Sequence, residues 1–166
     1  MSWEGLNSTL KGMKRLLPVL LILGFVLNAC TGGNADIKKV AIADVQARFE
    51  EGLEEEAKTT IPNSAWLRTE FITFIKRKSE YRVDEVNKTS DTQARAVVTI
   101  KSILAPQRRM LAEIAGRIPD DKARNFNLTD ALSMIAKKTG SSTETTDISI
   151  NHIQVVKFGD SWMVPK

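Results

Sequence analysis

The strongest constraint on how this 166-residue chain can fold is an apolar segment close to its N-terminus. The segment runs from Leu16 to Leu27 and is interrupted only by Pro18 and Gly24. Its 12 residues fall short of the roughly 20 that a membrane-spanning helix needs. A helix of a globular core is also disfavoured, because the segment has no amphipathic stripe and runs into glycines. We therefore predict that this segment lies outside the folded domain.

The residues on either side of the segment have the order of a secretory signal peptide. Lys14 and Arg15 precede the apolar run, and Ala29 stands directly before Cys30, the only cysteine of the chain. A basic region, an apolar core and a small residue before the cleavage point are the three parts of such a signal. We predict a signal peptide over residues 1–29.

The run Leu27-Asn28-Ala29-Cys30 resembles the lipobox of bacterial lipoproteins, and the resemblance begins at Met13, a more natural start than Met1. In that class the signal is cut before the cysteine, whose thiol carries a diacylglycerol. Asn28 departs from the usual Ala, Ser or Thr. The resemblance implies lipidation at Cys30, with signal recognition through Lys14, Arg15, Leu27 and Ala29. The alternative is an ordinary secretory signal with a coincidental cysteine.

The residue after the cysteine predicts which membrane holds the lipid anchor. In the lipoproteins that this motif resembles, an Asp at that position retains the protein at the inner membrane. Here the residue is Thr31. We therefore expect attachment to the inner leaflet of a Gram-negative outer membrane, facing the periplasm. Loss of residues 1–29 removes three basic residues and one acidic residue, so the formal charge falls from +4 to +2. A near-neutral domain gives no reason to expect a nucleic-acid partner.

Residues 30–35, which begin with the cysteine, are predicted to form a lipidated, Gly-rich tether. Residues 36–166 are predicted to form a single domain. Apolar residues at helical spacing predict a first helix over residues 36–58. Pro62 ends that pattern, and Asn63 or Ser64 can cap a second amphipathic helix.

Strand-like alternation appears in the second half of the chain. Residues 81–86 and 94–100 alternate with period two and predict an antiparallel hairpin. Residues 148–155 form another strand, whose apolar phase changes near Asn151-His152, as at a bulge or in a strand buried on both faces. A turn at Gly159-Asp160 leads to a closing strand.

Helical patterns fill residues 106–139 between the two groups of strands. The pattern as a whole predicts an α+β fold. In this fold the N-terminal helices pack on a curved antiparallel sheet of about four strands, and a helical insertion separates the strand pairs.

Three features resemble small lipoproteins of the nuclear-transport-factor-2-like superfamily. They are the long first helix, the strand pair with Tyr81-Arg82-Val83 and Ala94 to Ile100, and the ending Val155 to Val164, in which a Gly/Asp turn precedes Trp-x-Val. The resemblance implies a cystatin-like α+β roll. The helical stretch 106–139 departs from the family, where the strands more often follow one another. Family members include enzymes, but many of the lipidated members have no known activity. The resemblance therefore does not assign an activity to this chain.

A search for catalytic motifs finds no phosphate-binding glycine loop, no GxSxG and no HExxH. His152 is the only histidine, and the neighbouring Asp147 and Asp160 have no spacing that supports a triad. We expect no catalytic residues, no metal site and no cofactor. The sequence allows one apolar pocket between helix and sheet, with plain core packing of the same side chains as the alternative. Its predicted lining is Trp66, Phe71, Phe74, His152 and Trp162.

These features predict a non-enzymatic, membrane-anchored binding module with a protein partner in the envelope. One alternative is a small hydrophobic-ligand carrier or a pocket enzyme of the same fold that uses His152. Another is an accessory subunit of an envelope secretion or assembly complex. Nothing in the residues themselves separates these three functions.

Overall fold

A computed structural model of the chain describes residues 33–166. The predicted signal peptide and the lipidation site Cys30 lie outside this range. The residues predicted for signal recognition do so as well: Lys14, Arg15, Leu27 and Ala29. Among the described residues, no helix is long and apolar enough to cross a membrane.

Two helices open the described chain. Helix α1 covers residues 33–60, and helix α2 covers Ala65–Arg77. Ser64 caps α2, since its Oγ accepts a hydrogen bond from the backbone N–H of Leu67 at 3.2 Å. Residues 33–35, predicted to belong to the tether, are helical instead. Each residue added to a formed helix gains a backbone hydrogen bond, so α1 extends past its apolar pattern.

The remaining elements confirm the predicted α+β class. Four strands form one antiparallel sheet in the order β1-β2-β3-β4. They are β1 (Glu80–Ser90), β2 (Gln93–Ser102), β3 (Thr146–Phe158) and β4 (Ser161–Met163). The predicted helical insertion between β2 and β3 contains α3 (Ala105–Gly116), α4 (Asp120–Ala123) and α5 (Leu128–Thr139).

The irregularity predicted near Asn151-His152 lies instead at Ile148. Ser149 pairs with Ile100 and Asp147 pairs with Lys101, so Ile148 is the extra residue of a bulge. Ile148 packs partly against the core, whereas Ile150 is 65% exposed. In a regular strand Ile148 and Ile150 would share a face, but the bulge places them on different faces. The strand therefore needs no change of phase at residues 151–152.

The buried apolar residues form two groups that share α1. The sheet cluster joins the first half of α1 to the buried face of the sheet. It contains Ile37, Ala41, Val45, Ala94, Ala96, Val98, Ile100, Ile153, Val155 and Trp162. The helix cluster joins the second half of α1 to α2–α5 and includes Leu53, Ala57, Phe71, Leu111 and Leu132. Phe49 packs against both clusters. Helix α1 is therefore the common element of the two cores.

The sheet has two different ends. At the turn end lie the β1–β2 and β3–β4 turns, which are joined by a hydrogen bond from Lys157 N to Thr92 O of 2.8 Å. At the helix end the strands connect to α2, α3 and α5. Helix α1 starts at the turn end, because a methyl group added to Gly33 would meet Lys88 Nζ at 2.8 Å. It then extends about 40 Å towards the helix cluster, at about 1.5 Å per residue.

Candidate functional site

The aromatic residues predicted to line one pocket are distributed over separate parts of the molecule. Phe71 and Phe74 are buried in the helix cluster, and Trp162 is buried in the sheet cluster. Both burial patterns correspond to core packing, the alternative considered for these side chains. The sequence could not separate the two clusters, since the same apolar residue types build both.

The other two predicted pocket residues are exposed. His152 lies on β3 opposite Val97, and it alternates with the buried residues of that strand. It therefore belongs to the outer face of the sheet, the face opposite the sheet cluster. Trp66 lies with Phe74 on a cleft of about 330 Å³ beside the loop before α5. The structure therefore does not bring these five side chains together in one pocket.

The structure instead forms a polar cleft of about 780 Å³ between α1, α2 and the beginning of β1. Side chains at helical spacing on α1 face those of α2 across it. The lining residues are Gln46, Glu50, Glu54, Thr69, Ile72, Thr73, Lys76, Arg77, Ser79 and Tyr81.

An ion pair joins the two helices across the polar cleft. Lys76 Nζ donates to Glu50 Oε2 at 2.6 Å, and Gln46 Nε2 donates to Glu50 Oε1 at 2.8 Å. Burial by itself would raise the pKa of Glu50, but the hydrogen bonds from Lys76 and Gln46 outweigh it and hold that pKa below its usual value. Glu50 is therefore an anion at neutral pH, with a partner on each oxygen.

Tyr81 contributes a shielded phenol to the same cleft. Its hydroxyl is buried without a hydrogen-bond partner among the described residues, and its ring packs edge-on against Phe49 at 6.2 Å. Burial, followed by the negative charge of Glu50, raises the pKa of Tyr81 to about 12. The phenol is therefore neutral at physiological pH. It can donate a hydrogen bond but is poorly suited to act as a general base.

The sequence signal for the polar cleft is the row of polar residues on α1, whose acidic side chains lie on two sides of the helix. Glu51 and Glu55 are exposed to solvent. Gln46, Glu50 and Glu54 recur every four residues on another side of the helix. Only the position of α2 shows that this second row faces a neighbour.

A second surface is the free edge of β3, defined here as residues 146–155. On one side this segment pairs with β2, and β4 pairs with β3 only at residues 156–158. No other described strand continues the sheet on that side. The backbone N–H and C=O groups directed outward from residues 146–155 thus lack a strand partner, which is the template for pairing with another chain.

The two edges of the sheet differ in their protection. Strand β1 carries charges along its length and two register shifts, both of which oppose pairing with another strand. On β3 the segment 148–156 contains no Lys, Arg, Asp, Glu or Pro, and its only irregularity is the bulge at Ile148. The free edge of β3 is therefore the less protected of the two.

Metal-ligating side chains are scattered in the part of the chain that the structure covers. Residues 33–166 contain no group of three or more His, Cys, Asp or Glu side chains placed to hold a metal ion. The polar cleft and the free edge of β3 are thus the two candidate sites, and both offer hydrogen bonds rather than metal ligands.

Comparison with known proteins found no matching family model, no matching curated protein and no matching solved structure. The lipobox and the nuclear-transport-factor-2-like superfamily therefore stay predictions from sequence motifs. The functional assignment has to come from the described surfaces and from the N-terminal motif.

Proposed function

We propose that the protein is a non-enzymatic binding module of the cell envelope. In this proposal Cys30 carries the lipid that holds the domain on the inner leaflet of the outer membrane, facing the periplasm. The domain binds an extended segment of a protein partner, which adds a strand to the free edge of β3. The observation that supports this proposal is the one-sided pairing of residues 146–155.

Strand addition explains why an unprotected edge would be retained. The added segment receives backbone hydrogen bonds along β3, and alternate side chains of the segment contact the outer face. Beside the edge that face presents Ile150, His152 and Gln154, and on the neighbouring strand it presents Val97 and Arg95. The partner segment should therefore be uncharged at its centre, because a buried, unpaired charge there would cost more than the contacts provide.

Site-specific crosslinking in cells tests this interface. A photoreactive amino acid at Ile150 lies on the free edge of β3, and one at Asn87 lies on the charged strand β1 at the opposite edge. We expect one crosslinked product of defined mass from position 150 and none from position 87. Equal products from both positions, or none from either, would contradict strand addition at β3.

A charge placed on the edge gives a second test of the same interface. Ile150→Lys should abolish crosslinking from a photoreactive residue at Gln154, because the lysine would have to lose water against the partner strand. Asn87→Lys adds the same charge to β1 and should leave that crosslink unchanged. Both positions are exposed, so neither change should unfold the domain. Persistence of the crosslink in Ile150→Lys would argue against the edge.

The identity of the crosslinked partner separates this function from the accessory-subunit alternative. A subunit of a secretion or assembly complex should be recovered with its partner in a fixed ratio after solubilisation of the membrane. A binding module that captures passing segments should be recovered with a variable ratio. The measurement is the partner-to-protein ratio across preparations in several mild detergents.

A second candidate function is the binding of a small polar ligand in the polar cleft. It is favoured by the shielded Tyr81 hydroxyl beside the Glu50–Lys76 ion pair. This differs from the hydrophobic-ligand carrier predicted from the aromatic residues, because the fold places those aromatic residues in separate clusters.

The pocket-enzyme alternative is tested by His152→Ala, since His152 lies on the outer face. A turnover lost in that folded variant would count against the binding module.

A further inference from the structure

The turn end carries an unusually exposed aromatic residue. Phe158 is 77% exposed, and Met163 on the adjoining strand is 44% exposed. Gly159, at φ 60°, follows Phe158 in the β3–β4 turn, where the left-handed conformation suits glycine. Most of the surface of Phe158 is therefore not covered by the described domain, and this apolar surface is available to contact another molecule or a membrane.

Three contacts place the β3–β4 turn, which carries Phe158, at the same end of the sheet as the start of α1. Lys157 N donates to Thr92 O at 2.8 Å, which joins the two turns of the sheet. Lys88 Nζ lies 6.0 Å from the centre of the Trp162 ring, on the strand after the second turn. The same ammonium group reaches Gly33, the first described residue of α1.

The covalent chain limits how far this end can lie from the predicted lipid. Cys30 precedes Gly33 by three residues, which span at most about 11 Å even when fully extended. Helix α1 then leads away from this point, so the helix cluster lies at the far end of the molecule. If Cys30 is held in a bilayer, the turn end is the part of the described domain closest to that bilayer.

Charge at the turn end permits this approach without driving it. The basic residues there are Lys38, Lys39, Lys88 and Lys157, and the acidic residues are Asp36, Asp91 and Asp160. The excess of one positive charge gives only a weak attraction to an anionic surface. The contact therefore depends mainly on the apolar surface of Phe158 and Met163.

We infer that the turn end docks on the bilayer that holds the anchor, with Phe158 entering the boundary between headgroups and acyl chains. This inference rests on the proposed lipidation of Cys30, which brings the turn end to the membrane. The domain then has a defined orientation. The turn end faces the lipid, and the helix end points into the periplasm.

Fluorescence quenching tests the inference on the full chain. Phe158→Trp is reconstituted into vesicles of phosphatidylethanolamine and phosphatidylglycerol with brominated acyl chains, and the signal of the unaltered chain is subtracted. Met134→Trp is the matched control, because Met134 is 64% exposed on α5 at the helix end. We expect the added tryptophan at position 158 to lose about half of its emission, as for a side chain at the acyl boundary, and that at position 134 to lose none.

The outcomes distinguish the inference from the proposed anchoring. The mass of the Cys30 peptide from the same vesicles decides whether the cysteine carries acyl chains. Quenching at position 158 alone supports docking of the turn end, whatever that mass is. Equal quenching at both positions, or none at position 158, overturns the inference even when Cys30 is lipidated.

Discussion

At the scale of single residues, Gly116 is a position where two helix ends leave no room for a side chain. Gly116 ends α3 where that helix meets the end of α1, and an added Cβ would lie 2.0 Å from the carbonyl oxygen of Thr60. The nearest atoms belong to the backbone, so no side chain can move aside. The missing side chain is what allows this close approach.

Gly116→Ala should therefore destabilise the domain, by about 1–3 kcal/mol, because two helix ends must move apart. Gly52→Ala is the matched control, since Gly52 lies in the exposed middle of α1 and an added Cβ would meet nothing within 4 Å. The control should stabilise by about 0.5–1 kcal/mol through the lower entropy of the unfolded chain. Urea unfolding followed by circular dichroism measures both. A Gly116→Ala variant as stable as the control would show that the helix ends adapt freely.

Tyr81 allows a direct titration, because it is the only tyrosine of the chain. Tyrosinate absorbance should reach its midpoint at a pKa of about 12 rather than at the usual tyrosine pKa of 10.0. The folded pKa lies above the unfolded one, so the unfolded chain loses its proton first. The stability contributed by the neutral phenol is complete below pH 10 and is lost as the pH rises towards 12.

The charge of Glu50 should account for part of that shift. Glu50→Gln should lower the pKa of Tyr81, since the carboxylate is the second cause of the shift after burial. Glu51→Gln, on the exposed side of α1, should leave it unchanged. A midpoint near 10 in the unaltered chain would indicate that the hydroxyl reaches water.

At the scale of elements, a partly buried ion pair joins α3 to α1 in addition to the packing of both helices in the helix cluster. Arg108 Nε donates to Glu56 Oε2 at 2.8 Å, and its guanidinium lies 5.7 Å from the centre of the Phe49 ring. The side chains of the ion pair are 17% and 20% exposed. A charge-assisted hydrogen bond with this shielding is worth more than a surface ion pair.

Arg108→Met should destabilise by about 1–3 kcal/mol, because it leaves the partly buried Glu56 carboxylate without its partner. Arg109→Met is the control on the next residue, which is exposed, and it should change the free energy of unfolding by less than about 0.5 kcal/mol. Thermal unfolding of the two variants measures the difference. Equal losses would mean that the ion pair adds nothing beyond its solvated charges.

Local signals in the sequence predicted most element boundaries. At α5 the sequence offers Asn127 or Thr129 as the N-cap and Gly140 as the C-cap. In the structure the side chain of Asn127 accepts from Thr129 N and Asp130 N, and Gly140 adopts the left-handed conformation at φ 66°. Helix α4 was missed, since one turn is too short to show an apolar period. The bulge at Ile148 was misplaced, because register depends on the partner strand.

At the scale of the whole molecule, the predicted lipid anchor is the feature with the largest consequence. Cys30→Ser should prevent incorporation of labelled palmitate and leave the precursor uncleaved by the lipoprotein route. Two acyl chains give stable anchoring, whereas the domain alone presents only a small apolar patch. Metabolic labelling and the mass of the mature N-terminus measure this. Palmitate entering the Cys30→Ser chain would contradict the lipobox interpretation.

Periodicity and neighbours along the chain are enough to predict the α+β class, the caps of α2 and α5 and the buried alternation of β2. They do not show which surfaces are shared. The polar cleft requires α1 and α2 to face each other, and the free edge of β3 exists because β4 covers only residues 156–158. Both features follow from contacts between segments far apart in sequence. Such contacts leave no period in the chain, so they can be seen only in the folded molecule.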